Sequence, residues 1–157
     1  VWQIGTEEEA TALTEEMWKN ASVEIDLMTE SGRWVMNSKR LLDILVSKKE
    51  FPSFRINVLL SKGDQLSKTN REIASRFEEF LGQMGGNVYR YIPGALRMDI
   101  VDKKSCLFFM YEEDKPYIYY STHKSIADSL RQLFILSILL TEKYESTTLN
   151  MLGDLLS

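Results

Sequence analysis

An α/β domain, with a mixed β-sheet flanked by helices, is the fold class this sequence predicts. Three observations carry that reading. The apolar period switches repeatedly between about 3.6 and 2 residues. The first three strand-like runs are separated from one another by helix-like runs, which favours right-handed parallel crossovers. The last two strand-like runs are joined by the polar turn Glu112-Glu113-Asp114-Lys115, as a hairpin requires.

The elements follow in order. Residues 6–21 read as a helix: Thr6 and Glu9 have capping-box spacing, Glu7, Glu8 and Glu9 suit the positive end of the dipole, and Ala10, Leu13, Met17, Trp18 and Ala21 share a face. Val23, Ile25 and Leu27 then alternate with Glu24 and Asp26, which predicts a strand ending near residues 28–30. Asn37 or Ser38 caps a second helix that turns Leu41, Leu42 and Leu45 inward. Residues 54–60 form the next strand and residues 61–64 a turn. A third helix follows Thr69-Asn70, with the stripe Ile73, Phe77, Phe80, Leu81 and Met84, and Gly85-Gly86 stops it. Strands are expected at 87–92, 96–101, 105–111 and 116–121, with a Pro93-Gly94 turn after the first. A long helix closes the series at 125–144.

With 157 residues the chain is expected to form one domain, its core at about 4–145 and a tail or short helix at 146–157. Apolar residues make up 44% and charged residues 27%, the balance of a soluble globular protein. The net charge of −4 and pI near 5.1 give no electrostatic pull toward nucleic-acid phosphates. Lys48, Lys49 and Lys62 read as solvated surface. The single Cys106, inside an apolar run, reads as a small buried hydrophobe and fits a cytoplasmic setting. The opening residues lack a signal-peptide pattern, and residues 133–140 are too short a run for a bilayer, which takes about 20 apolar residues. No membrane role is expected. The chain does not begin with methionine and reads as part of a longer protein.

No Cys, His and carboxylate cluster has metal-ligand spacing, and no glycine-rich loop opens a helix, so neither a metal nor a cofactor is expected. Asp102-Lys103-Lys104 reads as an exposed turn. Ser121-Thr122-His123 reads first as the cap of the last helix.

The order of elements resembles one half of the phospholipase D fold, in particular the effector domain of TrmB-type archaeal transcription regulators. The segments that carry the likeness are 21–27, 54–60, 87–91, 96–104 and the long helix after the hairpin. Active phospholipase-D-like enzymes carry His, Lys two residues later, and Asp five further on. By that resemblance the Asp position is Asp102, the Lys position Arg97 and the His position Ala95. Alanine cannot form the covalent phospho-enzyme, so no catalytic residue and no enzyme activity are expected. The fold implied is a catalytically degenerate phospholipase-D-like half-fold.

Its pocket should lie near the ends of the central strands. The candidate ligand contacts are Thr29, Glu30, Arg97, Asp99, Ser121, Thr122 and His123. Arg97 and Asp99 are two apart on one strand and so should share a face. On the last helix Ile126, Leu130, Leu133, Phe134 and Ser137 can face the sheet. Ile135, Leu136, Ile138 and Leu139 are then left for a second cover, either a homodimer partner or the tail residues Leu149, Met151, Leu152, Leu155 and Leu156. The resemblance implies a cytoplasmic regulator's ligand-sensing and dimerisation domain, acting through a small-molecule effector, with DNA contacted only by a domain outside this chain. The alternatives are a non-catalytic protein- or membrane-docking module and, last, an active phosphodiesterase.

Overall fold

The computed structural model describes residues 1–144, with side chains to residue 141. Its centre is a seven-stranded mixed sheet with strands β1 (Trp2–Ile4), β2 (Glu24–Met28), β3 (Arg55–Ser61), β4 (Asn87–Tyr91), β5 (Leu96–Val101), β6 (Ser105–Glu112) and β7 (Lys115–Ser121), in the spatial order β1-β7-β6-β5-β2-β3-β4. The helices are α1 (Glu7–Asn20), α2 (Arg33–Met36), α3 (Lys39–Ser47), α4 (Lys68–Gln83) and α5 (Lys124–Tyr144). Strands β2, β3 and β4 run parallel, as the helices between them predict. Strand β5 lies antiparallel to β2, and β5, β6 and β7 form a meander.

Two cores lie on opposite faces of the sheet. Trp18, Leu41, Leu45, Phe77 and Leu81 from α1, α3 and α4 pack on Ile25, Leu27, Val58 and Leu60. Ala127 and Phe134 of α5 pack on Met28, Leu59, Met98, Ile100 and Cys106. The alternation of side chains along each strand feeds both faces, so β2 is buried along its full length.

The caps explain where the helices begin. Thr6 Oγ1 accepts from Glu9 N–H, Ser38 Oγ from Leu41 N–H, and Ser67 Oγ from Asn70 N–H. The Ser67 cap starts α4 earlier than the expected Thr69-Asn70. Gly85, at φ +75°, ends it as expected. Strand β1 and the four-residue α2 have no counterpart in the sequence expectation, since each is too short for an apolar period to repeat.

Glu24 and Asp26 of β2 are 0% and 1% exposed, under α5. Three expectations need correction. Lys48 is buried too, and its ammonium donates to Lys19 O at 3.0 Å and Ala21 O at 2.8 Å, closing the carbonyl end of α1. Asp102 is no free turn residue. It has φ +54°, and its carboxylate accepts from the N–H groups of Ser22, Val23 and Glu24 at 2.7–3.2 Å. Those bonds hold its carboxyl below the usual range although partial burial opposes them. On α5, Leu133 is exposed and not against the sheet, whereas Ile138 packs into the second core. The tail residues 146–157 lie outside the described residues.

Candidate functional site

A crevice opens where the carboxyl ends of the parallel strands meet the start of antiparallel β5. This is the place where an open α/β sheet leaves room for a ligand. Its volume is about 440 Å³. Leu27 and Met28 of β2 and Met98 of β5 lie at its base, the two methionine side chains packing on the other face of the sheet under α5. Thr29, Glu30 and Ser31 leave β2 along one wall, followed by Arg33, Trp34 and Asn37 of the α2 region. The first turns of α1 supply Glu7, Ala10, Thr11 and Thr14. Asn70 of α4 and Arg97, Phe109 and Tyr111 of β5 and β6 complete the lining.

Gly32 sets the direction of the 29–33 loop. Its φ is +75°, and an added Cβ would run into the ring of Phe77. Only glycine allows both the left-handed backbone and that close approach. Ser31 Oγ, two residues ahead, accepts from Arg33 N–H at 3.3 Å.

Arg97 lies in the wall with its side chain 13% exposed. Its Nη1 donates to Gly94 O at 2.6 Å and Leu96 O at 3.0 Å. Its Nη2 is 4.0 Å from Glu30 Oε1, and its guanidinium lies 5.7 Å from the centre of the Tyr111 ring. The guanidinium is therefore held as a fixed cation at the lip. Asn70 Oδ1 is closed off from solvent and has no hydrogen-bond partner.

Asp99 shares the face of Arg97 but is sealed beneath the crevice. Trp18 Nε1 donates to both carboxylate oxygens, at 3.0 and 2.8 Å. With no cation against it, burial pushes the Asp99 carboxyl up to about 7; the indole N–H lowers it and Asp26 raises it further. The Trp18 ring meets the Trp34 ring with centroids 5.8 Å apart. Trp34 lines the crevice and donates to Thr29 Oγ1 at 3.4 Å. Asp99 thus supports the wall through two indoles and does not line it.

Of the seven candidate contacts, Thr29, Glu30 and Arg97 come together in the crevice. Ser121, Thr122 and His123 do not. They lie at the other end of the sheet, since Ser121 pairs with Cys106 and Arg97 with Phe109. There Ser121 Oγ accepts from His123 N–H at 3.1 Å, and His123 O accepts from Ile126 and Ala127 as α5 begins. Asn70 and Tyr111 were missing from the sequence reading because α4 and the hairpin reach the crevice from distant parts of the chain, and Trp34 because the short α2 gave no apolar period to read. Ser31-Gly32 directly after a strand was the one local signal.

The opposite end of β2 holds a second polar cluster. Arg131 Nε of α5 lies 3.3 Å from Asp26 Oδ2 and 3.4 Å from Glu24 Oε1. Glu24 also meets Arg55 at 3.3 Å and Lys103 at 3.5 Å. Asn87 donates to Asn57 Oδ1, and Asn57 donates to Asp26 Oδ1. Burial raises the Asp26 carboxyl, with Asn57 pulling it back. This cluster ties α5 to β2 and to the edge strand β4.

Among the described residues no three His, Cys, Asp or Glu side chains are grouped to hold a metal ion, and no helix is long and apolar enough to cross a membrane. On α5 the side chains of Leu133, Ile135, Leu136, Leu139 and Leu140 are exposed, at 38–49% of their surface.

No protein-family model matches the sequence, and no curated protein matches it. Solved structures do match. One is TrmBL2, an archaeal chromatin protein whose structure shows a novel mode of DNA binding: TM-score 0.62, 17% identity, covering 85% of this chain and 50% of that one. The chain spans about half the length of that structure, and what the two share is the fold.

Proposed function

We propose that this chain is the ligand-sensing and dimerisation domain of a transcription or chromatin regulator, without catalytic activity of its own. One observation carries the reading: a walled crevice of ligand size at the switch point of the sheet, with a fixed arginine at its lip and alanine where a phospholipase-D-like nucleophile would stand. Ala95 is exposed and offers no group to attack a phosphorus centre. The fold shared with half of TrmBL2 supports a regulatory setting, and DNA contact would belong to a unit outside this chain.

The partner in dimerisation is a second copy that meets the exposed face of α5 through Ile135, Leu136 and Leu139. Ile138, already packed on the sheet, drops out of that interface. Exposed apolar side chains spaced along one helix suit self-complementary pairing about a two-fold axis. Sedimentation velocity is the test. The expected result is a dimer at micromolar concentration, returned to monomer by Leu136→Glu with an unchanged circular dichroism spectrum. A wild-type monomer at high concentration would remove dimerisation, and turnover of a phosphodiester such as bis-p-nitrophenyl phosphate would remove the non-catalytic reading.

A further inference from the structure

The two faces of the sheet are covered unequally. Seven strands about 4.8 Å apart make a sheet about 29 Å wide, whereas one helix with its side chains is about 10–12 Å across. Three helices, α1, α3 and α4, share one face. Among the described residues α5 is the one helix in the core on the other face. It packs on β2, β4, β5 and β6, and its last turns reach the carboxyl end of edge strand β4, where Ser137 and Leu140 share a hollow with Tyr91. The β6–β7 end of this face is left largely uncovered.

Strand register puts five apolar side chains on that stretch. Met98 lies in the core under α5, so its ladder neighbours Phe108 and Tyr119 face the same way. Two residues further along come Leu96, Met110 and Tyr117, again side by side. The rings of Phe108 and Tyr119 stack at 5.3 Å, Met110 is 47% exposed, and the other four side chains are half-buried. Charge stands at the end of this shelf. Lys115 Nζ lies 5.8 Å from the centre of the Tyr117 ring, and Glu112, Glu113 and Asp114 lead round the exposed hairpin tip. An apolar centre rich in aromatic residues and methionine, with charge kept to the rim, is the make-up of a protein interface. The acidic tip turns phosphate backbones away.

A matching surface lies on the same chain. Leu133, Ile135, Leu136, Leu139 and Leu140 of α5 form a ridge at 38–49% exposure, and residues 132–141 carry no charge. Half exposed, five such side chains offer about 400 Å², whereas each partner in a stable interface gives about 800 Å². The ridge alone is too small for the dimer proposed above. The shelf adds five more side chains of that size or larger, on the same face of the sheet. Each copy carries one ridge and one shelf, so a two-fold axis seats each ridge on the other copy's shelf and closes the assembly at two.

We infer that the shelf of Leu96, Phe108, Met110, Tyr117 and Tyr119 is the seat for α5 of a second copy of this chain. The inference rests on the dimerisation proposed above and names the surface that completes it.

Photo-crosslinking and sedimentation velocity of the 157-residue chain test it. The photoreactive p-benzoylphenylalanine replaces Met110, an equal mixture of light and isotopically heavy chains is irradiated, and mass spectrometry identifies the joined peptides. The expected product joins position 110 to residues 133–140 of α5, in light–heavy pairs. Met110→Glu should raise the dimer dissociation constant at least tenfold with an unchanged circular dichroism spectrum, whereas Glu113→Gln, beyond the shelf, should leave it within twofold. A wild-type chain that stays monomeric removes dimerisation and the inference together. If Leu136→Glu dissociates the dimer while Met110→Glu does not, or if position 110 gives no light–heavy product with α5, the seat falls and the α5 dimer stands. Products confined to one chain, joining position 110 to residues 145–157, overturn the inference by showing that the chain covers its own shelf.

Discussion

At the amino end of β2 the polar groups are tied to one another. Asp102 takes up the N–H groups where α1 turns into β2, Lys48 takes up the carbonyls of the same turn, and Arg131 lies against Glu24 and Asp26. At the carboxyl end of the same strand the inventory is similar but less of it is paired. Arg33 reaches into solvent, and Glu30 stands 4.0 Å from the arginine it faces. Two ends of one short strand thus serve different purposes. One closes the chain onto itself, and the other leaves charged side chains facing an open crevice. The difference teaches that charged residues in this fold are read by what surrounds them rather than by their count.

Substitutions can break or sharpen that contrast. The largest effect is expected at a place that breaks it. Gly32→Ala sits at the open end yet should cost about 3 kcal/mol or more in urea unfolding, because the new methyl meets Phe77 on a left-handed backbone. Here the backbone, not a side chain, bears the load. Arg131→Met comes next. It leaves two buried carboxylates short of a cation, and because Arg55 and Lys103 remain beside Glu24 the expected cost is about 2 kcal/mol, read from the shift in the urea midpoint.

Asp99 gives the contrast a pH dependence. Its folded carboxyl titrates near 7 against an ordinary 3.8, so between those values the folded state holds the proton that the unfolded state has lost. Stability from this group is therefore full below the ordinary value and declines as pH rises toward 7, by about 1 kcal/mol per pH unit at the steepest. Asp26, also raised, acts in the same sense. Asp102, lowered, acts in the opposite sense: its contribution is present above the ordinary carboxylate value and is lost as pH falls through its folded one. Urea midpoints from pH 5 to 7 should slope downward in the wild type and be nearly level in Asp99→Asn. A wild-type profile that is already flat would contradict the sealed, cation-free setting of that carboxyl. The smallest effect sharpens the contrast: Arg33→Ala should change stability by no more than about 0.5 kcal/mol, as a solvent-facing side chain with no ion pair among the described residues.

Much of the framework was legible from the chain because local rules govern it. The caps Thr6 and Ser38, the Gly85 stop and the hairpin each declare themselves within a few residues. The shared face of Arg97 and Asp99 followed from the two-residue period of a strand. Their separate duties did not, because Trp18, which takes Asp99 out of the crevice, comes from 81 residues away. Lys48 was misread for the same reason, since a lysine becomes buried only when carbonyls from another helix end arrive beside it. Ser121, Thr122 and His123 were placed at the crevice on the expectation that strand ends cluster. The antiparallel meander instead carries the end of β7 to the opposite edge. Composition cannot distinguish these cases because the outcome depends on strand direction.

The lone thiol gives the second core a built-in clock. Cys106 has no exposed surface, lies beneath α5, and burial pushes its ionisation up to about 11. In the closed fold it is both unreachable and un-ionised at neutral pH, so a thiol-specific dye can react only in molecules whose second core has opened. The labelling rate therefore counts openings of that core. Because the chain has no other cysteine, the count needs no engineered background.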